Sequence, residues 1–259
     1  MFSSMGRWFN LKVVRFFYAA GFFLHVLYET LLFPRRKQVG VKVLVLQILF
    51  TGVEALGVVS FISLAIGAVI IIQGMNIFPQ FGQSQLVYTI LITVIVRELG
   101  PILTAFIITA RSGTAIATEL GGMVVSHQIE AYVSIGINPI SYLVVPRVLG
   151  VTISLVTLTL YFSVAGIVGA YFVSQLFTPI GLLDYFQNLL KVLRPIDIFA
   201  SLLKSLVFGT IISIVSTYQG FNVKVASTEV PQVVIKAVTQ GFALCIFADI
   251  IIVLMLRSL

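Results

Sequence analysis

The chain has 259 residues, 59% of them hydrophobic and only 10% charged, against about 25% charged in an ordinary soluble domain. Its 16 Lys and Arg and 9 Asp and Glu are too few to cover a water-soluble fold, and the mean hydropathy is +1.12. One cysteine, Cys245, excludes an internal disulfide and a Cys-based zinc site, and the isolated His25 and His127 form no H-E-x-x-H motif.

The first 45 residues are basic, aromatic and amphipathic. An apolar stretch from Val13 to Phe33 carries Arg15, His25 and Glu29, with Arg7 and Lys12 before it and Arg35, Arg36 and Lys37 after it. A crossing would place a basic cluster on each side of the membrane. An in-plane helix keeps both clusters at one surface, where anionic headgroups attract them. The expectation is an interfacial helix, with a sixth span as the alternative. No small-residue cleavage site follows a short apolar core, so no removable signal peptide is expected.

Beyond residue 45 the apolar runs suffice for membrane spans of about 20 residues. No charge occurs from Ala55 to Val96 or from Val148 to Leu183. Five spans are expected, at about 47–73, 86–110, 147–176, 198–217 and 237–256. The first ends at the turn-rich Gln73, Gly74, Asn76, Pro79 and Gly82. The fold class is therefore an all-α integral membrane protein, with an interfacial segment 1–45 before a five-span domain 46–259. A more polar loop occupies about 111–141 and an amphipathic loop about 177–197. In the latter, Leu182, Phe186, Leu189, Leu190 and Leu193 share a helical face. It reads as a short helix on the outer bilayer surface or as a docking site for an external partner.

Orientation follows the basic residues. Placing the N-terminus inside gives that side eleven Lys and Arg and the other side three, namely Lys191, Arg194 and Arg257. The net charge of +7 thus belongs to membrane ends, and no nucleic-acid partner is expected.

Glu54, Arg97, Glu98, Lys204 and Asp249 fall within spans, where each ionisable group costs several kcal/mol unless it faces protein or water. They read either as ion pairs holding spans together or as a polar cavity for a charged headgroup or an ion. Arg97 and Lys204 suit a phosphate, whereas Glu54 and Asp249 suit simple pairing. Adjacent residues on a helix point about 100° apart, so Arg97 and Glu98 are not expected to serve one face. Pro101 is expected to bend its helix. Gly166 and Ala170 form a small-xxx-small pair suited to close helix packing or a dimer face. No catalytic constellation, cofactor site or metal site is visible. Gly52 and Gly57 have phosphate-loop spacing, but Val58 stands where lysine is required.

An ordered set of motifs goes further: Arg97-Glu98-Leu99-Gly100-Pro101, Ala110-Arg111-Ser112-Gly113-Thr114-Ala115, Glu119-Leu120-Gly121-Gly122-Met123, Gln128-Ile129-Glu130-Ala131, Gly136-Ile137-Asn138-Pro139 and Pro146-Arg147. With Gln73-Gly74 and Lys204-Ser205-Leu206-Val207-Phe208-Gly209, it resembles the MlaE-like permeases, membrane subunits of ABC transporters that move phospholipid between membranes. The resemblance covers about residues 45–255. It implies a homodimer, a separate cytoplasmic ATPase subunit and a periplasmic MCE-domain lipid carrier. The expected location is a bacterial inner membrane, with a plastid envelope as the alternative, and the charge bias puts the N-terminus on the cytoplasmic side. Arg97, Glu98 and Lys204 become substrate-binding candidates at a lipid cavity. Arg111, Glu119, His127, Glu130 and Gly136 become ATPase-coupling candidates, with the coupling helix near 119–136. Glu54 departs from the uncharged residue expected at its position. The rival readings are an ion-coupled secondary carrier using Glu98 or Asp249, which would show an inverted repeat, and a structural membrane anchor.

Overall fold

The computed structural model describes residues 2–32, 41–77, 85–177, 181–224 and 226–257. The expected turn residues Pro79 and Gly82 and the basic cluster Arg35, Arg36 and Lys37 lie outside them. Every regular element among the described residues is helical. Five helical runs are long and apolar enough to cross a membrane: Leu44–Gly74, Leu86–Val125, Ile140–Phe177, Pro195–Phe221 and Ser227–Leu256.

Helix α1 is Phe2–Leu32. The first span joins α2 (Val41–Gly52) to α3 (Leu56–Ile77) through a 3-10 turn at Val53–Ala55. The second joins α4 (Gln85–Leu91), a π-helical run Ile92–Leu99, α5 (Gly100–Ile108), a π turn Thr109–Gly113 and α6 (Thr114–Val125). After the short α7 (Gln128–Ser134), a π turn at Ile140–Val144 leads into α8 (Val145–Phe177). Helix α9 (Leu182–Val192) precedes α10 (Pro195–Phe221), and α11 (Val230–Arg257) follows a 3-10 turn at Ser227–Glu229.

The second span does not end near residue 110. Arg111 and Ser112 are absorbed by a π turn, and regular helix resumes to Val125. The expected loop is thus mostly helix. Its true turns are at His127, which adopts a left-handed φ of 57°, and Gly136, with φ 78°. At the second turn Ile137 N–H donates to the Tyr132 carbonyl at 2.9 Å and Gly136 N–H to the Val133 carbonyl at 3.0 Å. This is the glycine-dependent closure that ends α7. Asn138 Oδ1 then accepts the Ile140 N–H at 2.9 Å, and Pro139 stands where the next helix begins.

Helix α8 is the central pillar, buried against α2, α3, α5 and α10. Close approach relies on missing side chains. A Cβ on Gly67 of α3 would collide with the Gly166 carbonyl of α8 and lie 3.3 Å from the Ala170 nitrogen. The Gly166–Ala170 pair therefore packs within the chain, against the first span, and is not a dimer face.

Two in-plane candidates bracket the bundle. Helix α1 lays Val26 against Val144, Val148 and Ile214, with Phe22 and Phe221 beside them. Glu29 accepts the Ser141 hydroxyl at 3.0 Å. The opposite side of α1 exposes Phe17, Tyr18, Leu24, Tyr28 and Leu31. At the far end, α9 buries Tyr185 and Leu189 and packs Phe186 and Leu193 on the core, so Leu182 and Leu190 are the members of the expected face left outside. Tyr185 joins Tyr88, Tyr171 and Phe186 in an aromatic cluster and donates its hydroxyl to the Ile167 carbonyl at 3.0 Å. Burial, with Tyr88 adjacent, pushes its phenol well above the usual range. Leu182, Leu183 and Leu190 stay exposed, on a flank distinct from polar Asp184, Gln187 and Lys191. Along α10, from Ile214 at the α1 contact back to Pro195 beside α9, the helix measures about 28 Å at ~1.5 Å per residue. That is close to the ~30 Å of bilayer hydrocarbon.

Gly67→Ala should destabilise the chain by about 2 kcal/mol, the usual range for an added methyl in a filled contact. Gly57→Ala, where a Cβ meets nothing within 4 Å, should not destabilise it. Thermal unfolding in mild detergent checks the pair.

Candidate functional site

Five charged side chains from three spans form one chain of contacts. Lys204, on α10, has no solvent exposure. Its Nζ lies 2.5 Å from Glu98 Oε2 and 2.9 Å from Asp249 Oδ1 on α11. Glu98 forms a directed hydrogen bond with Nζ. The Asp249 contact is electrostatic, since its Oδ1 has no hydrogen-bond geometry with any donor. Glu98 Oε1 in turn lies 3.4 Å from Arg97 Nε, and Arg97 Nη1 lies 3.5 Å from Asp197 Oδ1. Asp197 caps α10 as well, its Oδ2 accepting the Arg194 backbone N–H at 3.1 Å.

The local sequence explains how Arg97 and Glu98 both reach this chain. Pro101 has no N–H to return to the carbonyl four residues back, and its ring crowds that carbonyl. The turn before it is opened into the π-helical run Ile92–Leu99, and regular helix restarts at Gly100. The long Arg97 side chain then lies across Glu98 on one side and Asp197 on the other. The expectation that the two neighbours serve separate faces is corrected by this geometry.

Sequence reasoning placed Arg97, Glu98 and Lys204 together, and the structure does so. It did not single out Asp197, which lies in the first turn of α10. It gave Asp249 to simple pairing without naming a partner, and the partner is Lys204. The sum is two positive and three negative charges, so the cluster carries one surplus negative charge. Lys204 is sealed between carboxylates. The most accessible member is Glu98, whose side chain is 34% exposed, followed by Arg97 at 26%.

Glu54 pairs with Arg111, which accounts for a carboxylate inside the first span. Arg111 therefore lies within the second helical run, about 24 Å along the helix from His127 at ~1.5 Å per residue, apart from the other coupling candidates. Glu119 binds Arg147 at 2.7 Å and fastens α6 to the start of α8. His127 and Glu130 are exposed at the α6–α7 turn, with Nδ1 and Oε2 3.0 Å apart. Gly136 closes α7 beside them. Val133 and Ile135 are also exposed here, Ile135 by 71%. Sequence reading passed over these two because a lone apolar residue in a short helix carries no pattern.

Lys204→Met should cost about 3 kcal/mol, because two carboxylates are left facing each other inside the bundle. Adding Asp249→Leu should recover part of that loss. Unfolding midpoints of the single and double variants check this.

The sequence model of the family described as Permease MlaE matches residues 44–255. A probable ABC transporter permease protein of Rickettsia prowazekii is 32% identical over 211 residues, covering 82% of each chain. One of Synechocystis is 32% identical over 219 residues, covering 85% of this chain and 80% of the relative. Protein TRIGALACTOSYLDIACYLGLYCEROL 1, chloroplastic, of Arabidopsis thaliana is 31% identical over 202 residues, covering 78% of this chain and 58% of the relative. The matched region spans all five membrane-length helices and the whole charged cluster, and the chain belongs to the MlaE permease family as a permease subunit of an ABC transporter.

Proposed function

We propose that this permease subunit moves phospholipid, or a related diacyl lipid, between membranes, driven by a separate cytoplasmic ATPase subunit. The observation that carries the lipid reading is the partly exposed charge chain at mid-depth. If α1 and α9 mark the two bilayer boundaries, Lys204 lies about 14 Å below the α9 boundary, near the midplane. An accessible carboxylate at that depth is several kcal/mol unfavourable against hydrocarbon. It therefore faces a chamber that protein encloses. The simplest enclosure is a second copy of the chain, since α11, which carries Asp249, is the least buried span. A polar patch inside a laterally apolar chamber suits a molecule with a charged head and acyl tails. The name of the Arabidopsis relative, that of a glycosylated diacylglycerol, agrees with a lipid cargo.

Within the chamber, Arg97, Glu98 and Lys204 remain the proposed substrate-binding residues, with roles adjusted to their access. Glu98 meets the headgroup directly and suits the ammonium of a zwitterionic lipid. Arg97 lies beside it at the outer end. Lys204 positions Glu98 and reaches a phosphate only by releasing a carboxylate. The α6–α7 turn is the ATPase-coupling surface, with Glu130, His127 and Gly136 framing exposed Val133 and Ile135. Glu119 braces it through Arg147. The α9 end faces the periplasm and an MCE-domain carrier. In this reading the chain sits in a bacterial inner membrane with its N-terminus cytoplasmic, as the bias of its basic residues favours.

Purification from native membranes in mild detergent, with mass spectrometry of bound proteins and lipids, tests the reading. A Walker-motif ATPase at about one copy per chain, together with retained phospholipid, is the expected result. A folded preparation with neither would favour the ion-coupled carrier. Ile135→Asp should abolish ATPase copurification by placing a charge in an apolar contact. The variant chain should keep wild-type unfolding, because Ile129 and Tyr132 hold α7 on the bundle.

A further inference from the structure

One ion pair inside the spans stands apart from the charge chain. Arg111, on the π turn Thr109–Gly113, donates through Nη2 to Glu54, on the 3-10 turn Val53–Ala55. Two breaks in regular helix thus face each other, one on each of the first two spans. Such breaks recur at functional places.

This pair differs from Lys204 in access and in saturation. The Arg111 side chain is 33% exposed and that of Glu54 50%. Lys204 has two carboxylates, whereas Arg111 has one. Its Nη1 is buried and has no hydrogen-bond partner, although a guanidinium offers five donors in a planar fork; the exposed part of the pair is the Nη2–Glu54 side. The fork matches a phosphate with two parallel hydrogen bonds. Glu54 fills that place with a single contact.

The level of the pair in the bundle favours a lipid phosphate. Gly113, two residues from Arg111, packs on Ser216 and Ile212 of α10. These flank Ile214, where α1 docks. Helix α1 turns Phe17, Tyr18 and Tyr28 outward at this level, as aromatic side chains do at a membrane interface. Beside Glu54, the first span exposes Phe50, Val53 and Val58, an apolar surface for an acyl chain.

The geometry points to Arg111 as a binding site for the phosphate of a glycerophospholipid at the α1-level rim, with Glu54 as the resident anion that the phosphate displaces. This rests on the lipid reading above and adds a second headgroup position, on the opposite side of the midplane from the Arg97–Asp197 end of the charge chain. Lipid entering from that leaflet would exchange Glu54 for its own phosphate before reaching Glu98.

The test titrates the purified full-length chain in mild detergent with phosphatidylglycerol, diacylglycerol or inorganic phosphate, and follows thermal unfolding. Phosphatidylglycerol should raise the unfolding midpoint, and diacylglycerol should not. Glu54→Gln removes the competing anion and should need about tenfold less lipid for the same shift. Arg111→Gln should lose the response. Should that variant fail to fold, Glu54→Gln still decides the matter, because it keeps Arg111 and a merely structural pair gives no gain. A Glu54→Gln chain needing as much lipid as wild type, or more, overturns the site. Inorganic phosphate giving the whole shift overturns lipid as its source. Phospholipid retained equally by wild type, Glu54→Gln and Arg111→Gln removes this site alone. Retention by none of them removes the lipid reading with it.

Discussion

A lysine placed in the middle of an apolar bundle must be neutralised on the spot, and much of the site follows from how Lys204 meets that demand. Its ammonium is sealed from solvent and contacts carboxylates from two other spans. Helices α10, α11 and the second span are thereby fixed in register as well as in proximity. Hydrophobic contact alone supplies little such specificity among helices whose surroundings are as apolar as their faces. The constraint extends outward: Glu98 brings in Arg97, and Arg97 brings in Asp197, which also caps the start of α10. The π-helical run ahead of Pro101 is the backbone's accommodation to the same arrangement.

Much of this was legible in the sequence. Five uncharged or nearly uncharged runs gave the number and order of the spans, because bilayer thickness sets their minimum length, although the second helical run ends about fifteen residues later and the fifth begins about ten residues earlier than expected. The intramembrane charges marked themselves by their cost. What was not legible has physical causes. The second span ran past its expected end because a π turn absorbed Arg111, and composition counts an arginine the same whether it is in water or paired to Glu54. Asp197 was hidden in a position where acids are common for capping. The inward face of α9 was read only in part: Phe186, Leu189 and Leu193 pack inward, but Tyr185, polar at its tip, is buried in an aromatic cluster, and a simple apolar stripe leaves such a residue out. The Gly166–Ala170 pair signalled close packing without naming its partner, Gly67.

The two ends of the bundle are built differently, as their proposed tasks require. At the α6–α7 end, Glu119–Arg147 and the Gly136 closure brace a short helix that carries exposed apolar residues. A push on α7 would pass through α6 into the π turn at Arg111, then through α5 to the run holding Glu98. That line of helix is interrupted twice by widened turns, which yield more readily than regular helix. It would offer a mechanical route from the proposed ATPase contact to the proposed chamber through one continuous span. At the other end, α9 and the aromatic cluster fix the outer rim.

The most direct measurement is lipid movement itself, in sealed vesicles holding the chain with its copurified ATPase and a quenchable fluorescent phospholipid. The account predicts movement that requires ATP, persists when ion gradients are collapsed, and falls at least tenfold in Glu98→Gln while the complex stays assembled. Movement driven by an ion gradient without ATP, or an undiminished rate in Glu98→Gln, would contradict it.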